Sequence, residues 1–207
     1  MPRTTAGTVP SGEGDARCVH SLRGARDMVA APAPCPAPMS APVLPDAPAP
    51  LRWTLAPWAA LDRDALYAAL RLRSAVFVVE QQCVFLDCDG LDPRAHHLLG
   101  WTTDADRRPL LGAYARLFAP GIVFPEASIG RVVSDPAVRR TGAGRALMRA
   151  ALDHLVDGPE ALVPGAPIRI GAQRYLERFY ASFGFVADGL PYDEDGIDHV
   201  EMVRAGR

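Results

Sequence analysis

The stretch from Ile129 to Met148, IGRVVSDPAVRRTGAGRALM, constrains the fold more than any other part of the chain. An apolar run rich in β-branched residues ends near a proline, which bars immediate helix entry. Arg139-Arg140-Thr141-Gly142-Ala143-Gly144 then leads into a helix predicted from Gly142 to about Asp157, with Leu147, Met148, Ala151, Leu152 and Leu155 on one face and Gly158-Pro159 as its stop. Strand, tight turn and amphipathic helix together point to a layered α/β architecture. Glycines let the backbone turn sharply and let a ligand approach it. Free N–H groups at a helix start, the positive end of its dipole and two arginines would make an anion site, with pyrophosphate as the natural occupant. The loop is neither a Walker A, lacking Gly-Lys-Ser/Thr, nor a Rossmann GxGxxG, lacking the third glycine. A plain structural turn is the competing reading.

Proline sets the limit of the folded part. Of 20 prolines, half fall within residues 1–50, and between Ala30 and Pro50 they alternate with small residues. Such a stretch loses backbone donors and cannot make a helix or an inner strand, so residues 1–50 are expected to form a Pro/Ala-rich disordered tail. It reads as a linker, a docking arm or a dispensable tail, and translation from Met28 or Met39 would make its upstream part an artefact. Residues 51–207 are long enough to bury a core of their own.

Within them, Arg52–Leu55 alternates as a strand, and Asp62–Glu80 reads as a helix with Leu66, Leu70, Ser74 and Phe77 at helical spacing. A turn-rich acidic loop, Asp87–Pro93, follows. Strands are predicted at His97–Thr102, Leu110–Phe118, Ser128–Ser134, Ile168–Ala172, from Gly184-Phe185 onward and at His199–Val203, with a short helix over Arg174–Ser182. The order β-α-β-β-β-α-β-α-β-β makes a mixed sheet with helices on its faces.

Composition removes several chemistries. All 22 basic residues are arginine, so no lysine is present for a Schiff base, a Walker A or a kinase-type phosphate contact, and without asparagine there is no N-glycosylation acceptor. A GC-rich genome accounts for both absences. The net charge of −2 argues against a nucleic-acid partner. No apolar run reaches 18 residues and no signal-like segment opens the chain, so neither a membrane span nor export is expected. The four cysteines form no disulfide framework. A cytoplasmic protein is expected.

In context, Arg139, Gly142 and Gly144 match Arg/Gln-x-x-Gly-x-Gly/Ala, and Phe179-Tyr180-Ala181-Ser182-Phe183-Gly184-Phe185 matches FYxxxGF; both resemble the GNAT N-acetyltransferase superfamily. Leu72–Gln81 (LRSAVFVVEQ), Asp87–Gly90 (DCDG), His97–Trp101 (HLLGW), Gly171–Gln173 (GAQ) and Glu194–His199 (EDGIDH) look like its ElaA-like subfamily. The resemblance covers about residues 51–207 and leaves out the tail. It implies the GNAT acyl-CoA acyltransferase fold, a mixed central sheet with helices on both faces, splayed between its fourth and fifth strands. It also implies acetyl-CoA as co-substrate, with pantetheine on the backbone of Val132 and Val133. Pyrophosphate would lie on Arg139, Arg140, Thr141, Gly142, Ala143 and Gly144. A splayed strand edge suits the pantetheine amides, because its own N–H and C=O groups lack partners.

By motif position, Tyr180 is the candidate acid for the departing thiolate; its competing reading is an aromatic packed beside Phe179, Phe183 and Phe185. Glu80, ending the first helix, is the candidate base or anchor for a cationic acceptor, or else a solvated carboxylate. Asp87 and Asp89, with Asp92 and the late cluster Asp193, Glu194, Asp195 and Asp198, would steer a positive acceptor or simply line solvated turns. His97 and His199 could bind substrate, shuttle a proton or pack. The spacing Asp87-x-Asp89-Gly90-x-Asp92 fails the EF-hand pattern, and Cys83, Cys88, His96 and His97 are too irregular for zinc, so no metal is expected.

These features converge on an acyl-CoA-dependent N-acyltransferase, with acetyl as the expected group and the amine of a small molecule or peptide as acceptor. A non-catalytic acyl-CoA-binding sensor or interaction module on the same fold is the alternative. Acyl-homoserine-lactone synthesis is a third reading, from Arg73-x-x-x-Phe77-x-x-Glu80, which the arginine and glycine loop disfavours. A homodimer is compatible with all three.

Overall fold

The computed structural model describes residues 50–194 and 196–207. The tail expected over residues 1–50 therefore lies outside the described residues except for Pro50, as does Asp195. Eight strands form one mixed sheet: β1 (Arg52–Pro57), β2 (His96–Thr103), β3 (Pro109–Phe118), β4 (Ala127–Ser134), β5 (Ile168–Gln173), β6 (Val186–Ala187), β7 (Tyr192–Glu194) and β8 (Ile197–Arg204). Their order is β1-β2-β3-β4-β5-β8-β6, with β7 paired to β8. The first four form an antiparallel meander, β4 meets β5 in parallel, and β8 returns antiparallel to β5.

Among the described residues three α-helices flank the sheet: α1 (Arg63–Arg73), α2 (Ala143–Leu152) and α3 (Glu177–Ala181). Asp62 caps α1 by accepting the Ala65 N–H at 2.8 Å. The buried apolar stripe is Ala65, Ala69 and Leu72 of α1 and Val76 just beyond it, while Ser74 is exposed and Leu66 and Leu70 are half-buried. The expected helical period is present, but its phase is shifted by one residue. Small alanines let the helix sit close to the sheet, against Leu99, Leu111, Tyr114 and Val133. Beyond Arg73 the helix widens into π turns over Ser74–Glu80, a form often found at functional sites.

On the opposite face, α2 buries Leu147, Met148, Ala151 and Leu152 against Leu98, Ala113, Ala115, Leu117 and Ile129. The period-2 alternation of β2 and β3 divides their side chains between the two helix layers. Asp153–Asp157 continues α2 as π turns and ends at Gly158, where an added Cβ would lie 2.6 Å from the Asp153 carbonyl oxygen. The strand expected to open at Gly184-Phe185 is the two-residue β6. The three-residue β7 was absent from the expected set, because a short run of exposed polar residues carries no apolar alternation. Among the described residues no helix is long and apolar enough to cross a membrane.

Two departures from regularity set the shape of the middle of the sheet. Tyr114 pairs with Val133 and Arg116 with Gly130, so Arg131 and Val132 together oppose the single residue Ala115. This is a β-bulge, and Arg131 adopts φ +51° within it. The parallel pairing of β4 to β5 stops after Ala127↔Ile168 and Ser128↔Arg169. From there the two strands diverge, as expected for the fourth and fifth strands.

Leu147 is sealed between α2 and the sheet, so Leu147→Ala should cost about 2–5 kcal/mol in urea unfolding. A loss below about 1 kcal/mol would contradict this packing.

Candidate active site

The divergence of β4 from β5 opens a cavity of about 750 Å³. Ile129–Ser134 of β4 forms one wall and Ile170, Gly171 and Gln173 of β5 the other. The π turns after α1 contribute Val76, Phe77 and Glu80, α3 contributes Tyr180, and β7 and β8 contribute Tyr192, Glu194 and His199. Beyond Ser128, β4 is paired with β3 on one side and unpaired toward β5. Its free backbone groups can therefore take an extended, amide-bearing ligand as an added strand.

Past the end of β4 the chain turns into α2. Asp135 accepts the Ala137 N–H at 2.9 Å, Arg140 takes φ +63°, and Gly142 takes φ +92° at the N-cap. No side chain caps the helix. Its first backbone bond runs from the Ala146 N–H to the Gly142 carbonyl at 3.0 Å, leaving Ala143, Gly144 and Arg145 with outward N–H groups. An added Cβ at Gly142 would meet nothing within 4 Å, so the glycine is required for its positive φ. Free N–H groups at such a helix start suit an anion. Of the residues expected to hold a cofactor, Val132, Val133 and Arg139 line the cavity, while Arg140 to Gly144 form the adjoining turn.

Against the cavity wall lies a largely buried ionic network of three arginines and three aspartates. Arg73, fully buried, donates from Nε to Asp87 (2.9 Å), from Nη1 to Asp92 (2.6 Å) and from Nη2 to the Asp87 carbonyl (2.7 Å). Arg116 on β3 clasps both oxygens of Asp89 at 2.7 and 2.6 Å and reaches Asp92 at 3.2 Å. Arg131, in the bulge, donates to Asp87 at 2.8 Å and Asp89 at 3.2 Å, with its guanidinium 5.1 Å from the Phe85 ring centroid. Burial alone would raise the Asp89 pKa, but the hydrogen bonds from Arg116 and from the Leu91 N–H, with the charges of Arg116 and Arg131, hold it well below the carboxylate range. Neither Arg73 nor Arg116 was singled out for this role. The signal was an arginine inside each of two apolar patterns, one on α1 and one in LGAYARLF, opposite a loop with three aspartates.

The network corrects several expectations. Asp87 and Asp92 are buried against the protein's own arginines, and Asp89, the one of the three that lines the cavity, is clasped by Arg116 and Arg131 while keeping part of its surface exposed. His97 was expected to reach substrate, but it is fully buried and spends both ring nitrogens internally. Its Nε2–H donates to the Asp92 carbonyl at 3.1 Å, and Nδ1 accepts the Tyr114 hydroxyl at 2.7 Å. Burial holds its pKa below the ordinary histidine value.

Tyr180 is buried on the cavity wall, edge-on to Phe179 and Phe185 with centroids 5.2 and 6.1 Å away. Burial, with nearby Tyr175, raises its pKa well above the ordinary phenol value, so it stays protonated. Glu80 stands at the cavity mouth in a two-pronged pair with Arg139, at 2.6 and 2.8 Å. That hydrogen bond lowers the Glu80 pKa. The next residue, Gln81, accepts from Gln173 Nε2 at 3.2 Å, so the end of α1 is tied to both walls of the opening. Asp193 and Asp198 are exposed; Asp198 lies 3.8 Å from Arg174.

Comparison with known proteins places this geometry. A family model described as an acetyltransferase (GNAT) domain matches residues 119–205. The UPF0039 protein of Synechocystis is 40% identical over 153 residues, covering 74% of this chain and 94% of that one. Protein ElaA of Escherichia coli is 40% identical over 146 residues, 70% of this chain and 90% of that one. The crystal structure of that ElaA superposes with a TM-score of 0.62 at 37% identity over 74% of this chain and 99% of that one. An acyl-CoA N-acyltransferase from Pseudomonas aeruginosa superposes with a TM-score of 0.67 at 42% identity, covering 75% and 99% of the two chains.

Removing Arg73 leaves buried Asp87 with Arg131 alone and buried Asp92 with Arg116 alone, and strips the Asp87 carbonyl of its guanidinium donor. Arg73→Met should therefore lose about 3–5 kcal/mol in chemical denaturation, and an unchanged midpoint would contradict the network's role. The histidines supply a pH test. The folded-state pKa of His96 and of His97 is lowered by burial, so the unfolded chain binds protons first as pH falls. Their contribution is complete above the unfolded value near 6.5 and declines below it. Denaturation midpoints should drop between pH 7 and pH 5; a flat or rising profile would contradict the burial of these rings.

Proposed function

The chain belongs to the GNAT acetyltransferase family, beside the ElaA and UPF0039 proteins, and on that premise we propose that it transfers an acyl group, acetyl first, from acyl-CoA to an amino group of a small molecule or peptide. The observation that carries the reading is the cavity between the unpaired edge of β4 and the buried, hydroxyl-bearing Tyr180. Its lining reaches Arg139, three residues before the uncapped N-terminus of α2 at Gly142.

The residues present fit such a donor. Val132 and Val133 offer backbone partners to pantetheine amides, and the N–H groups from Gly142 to Arg145, with Arg139 and Arg140, offer donors to a pyrophosphate. No lysine is needed. In the reaction the amine nitrogen forms a bond to the thioester carbonyl carbon, the carbon–sulfur bond breaks, the amine loses a proton and the sulfur gains one. Holding the two reactants in one groove supplies much of the acceleration. Tyr180 is the proton donor to sulfur: burial keeps its hydroxyl protonated until a thiolate forms beside it.

Glu80 takes a different role from the base first considered. A carboxylate held by a guanidinium is a poor proton acceptor. We assign it to positioning Arg139, which it holds at the mouth until a polyphosphate competes for the same guanidinium.

Free-CoA production from acetyl-CoA, dependent on an added amine across a broad panel, tests the reading. Tight acetyl-CoA binding with no transfer to any amine would favour a non-catalytic acyl-CoA-binding module instead. A faster reaction with acyl-carrier protein than with acyl-CoA would overturn the choice of donor. Tyr180→Phe should lower kcat by about 10²–10³ while leaving acetyl-CoA binding intact, and an unchanged kcat would remove Tyr180 from the mechanism. Glu80→Gln frees Arg139 from an exposed ion pair and should tighten acetyl-CoA binding by up to about fivefold in calorimetry; weaker binding would contradict the competition.

A further inference from the structure

We propose that His199 is the base that takes the proton from the attacking amine, an assignment that rests on the acyl-transfer reading above. His199 lies on β8 opposite Gln173 of β5 and lines the same cavity as Tyr180. Its Nδ1 is 2.8 Å from the Ile197 carbonyl oxygen, which can only accept, so Nδ1 carries the proton and Nε2 keeps its lone pair. Among the described residues no group hydrogen-bonds Nε2. Arg116 Nε is the sole buried side-chain nitrogen or oxygen without a partner among them, so the unpartnered Nε2 is open to solvent, and the cavity is the space that this ring lines.

The ring is held for this task. Tyr192 of β7 stacks on it, with centroids 5.8 Å apart and planes 29° from parallel. The Tyr192 hydroxyl lies over Gly171, where an added Cβ would come within 2.9 Å, so bare backbone on β5 is what lets β7 fold across. Glu194 Oε2 is 4.0 Å from Nδ1 and faces the positive charge that develops when Nε2 takes a proton. The other charged groups around the strand pair are Asp198 and Glu201 on β8 and Arg174 just past β5, itself 3.8 Å from Asp198.

Of the carboxylates lining the cavity, Glu80 is bound by Arg139 in the uncomplexed protein, Asp89 is bound by Arg116 and Arg131, and Glu194 faces His199 Nδ1, while His97 is sealed behind the sheet. With His199 as base the protons balance. As the carbon–nitrogen bond forms and the carbon–sulfur bond breaks, one proton passes from the amine to His199 Nε2 and one from Tyr180 to sulfur. Both groups then reset through solvent.

Two measurements test this. In ¹⁵N NMR of the uncomplexed protein at pH 8, the neutral His199 ring should show its proton on Nδ1 and an unprotonated Nε2; a proton on Nε2 would overturn the assignment without any acceptor being known. In the amine-panel assay, His199→Asn keeps a donor for Ile197 and deletes Nε2. Its kcat should fall by about 10²–10³, with acetyl-CoA Kd unchanged and activity partly restored by added imidazole. An active wild type with His199→Asn unimpaired overturns the base role alone. Inactivity of the wild type across the panel overturns the acyl-transfer reading and the base role with it.

Discussion

The shape of the groove depends on the salt-bridged cage of Arg73, Arg116 and Arg131 with Asp87, Asp89 and Asp92. Arg131 sits at φ +51°, a conformation costly for a residue with a Cβ, and it persists where the surroundings over-determine it. Its guanidinium is fixed by two aspartates and the face of Phe85. The cage thus holds the bulge, the bulge bends β4, and the bent strand leaves β5 after two paired residues. Buried ion pairs seldom stabilise a fold more than apolar packing would. Here their effect is geometric, since they set which backbone groups of β4 remain unpaired.

The same cage anchors the loop between α1 and β2, and so determines where the end of α1 lies. Arg73 is the last α-helical residue before the π turns that carry Val76, Phe77 and Glu80 to the cavity. From that point Glu80 reaches Arg139 after β4, and Gln81 reaches Gln173 at the end of β5. The π turns after α1 and the turn that leads into α2 are therefore linked through one charged pair. The acidic character of the Asp87–Asp92 loop is largely consumed by this internal arrangement, whereas Asp193, Glu194 and Asp198 remain exposed.

What could be read from the sequence was local. The glycine turn, the face of α2 and the course of β4 each declare themselves within about ten residues, through proline, glycine and apolar spacing. The family resemblance rests on such segments, and the splay between the fourth and fifth strands followed from it. The cage was invisible because its partners lie 14 to 44 residues apart, and spacing alone does not pair an arginine with a distant aspartate. His97 and His199 looked alike as strand-flanking histidines. Strand phase separates them: one ring points into the cage and the other into the groove. The phase of α1 is ambiguous in the sequence because apolar residues lie on both sides of its true stripe, and Arg73 occupies a place that an apolar residue would normally fill.

The most direct test of the account is backbone hydrogen exchange with and without acetyl-CoA. Donor binding on the unpaired edge of β4 and the uncapped start of α2 should slow exchange at Arg131 to Ser134 and at Gly142 to Arg145, leaving β1 and β2 unchanged. Saturating acetyl-CoA that protects neither segment, or that protects a different face of the sheet, would contradict it.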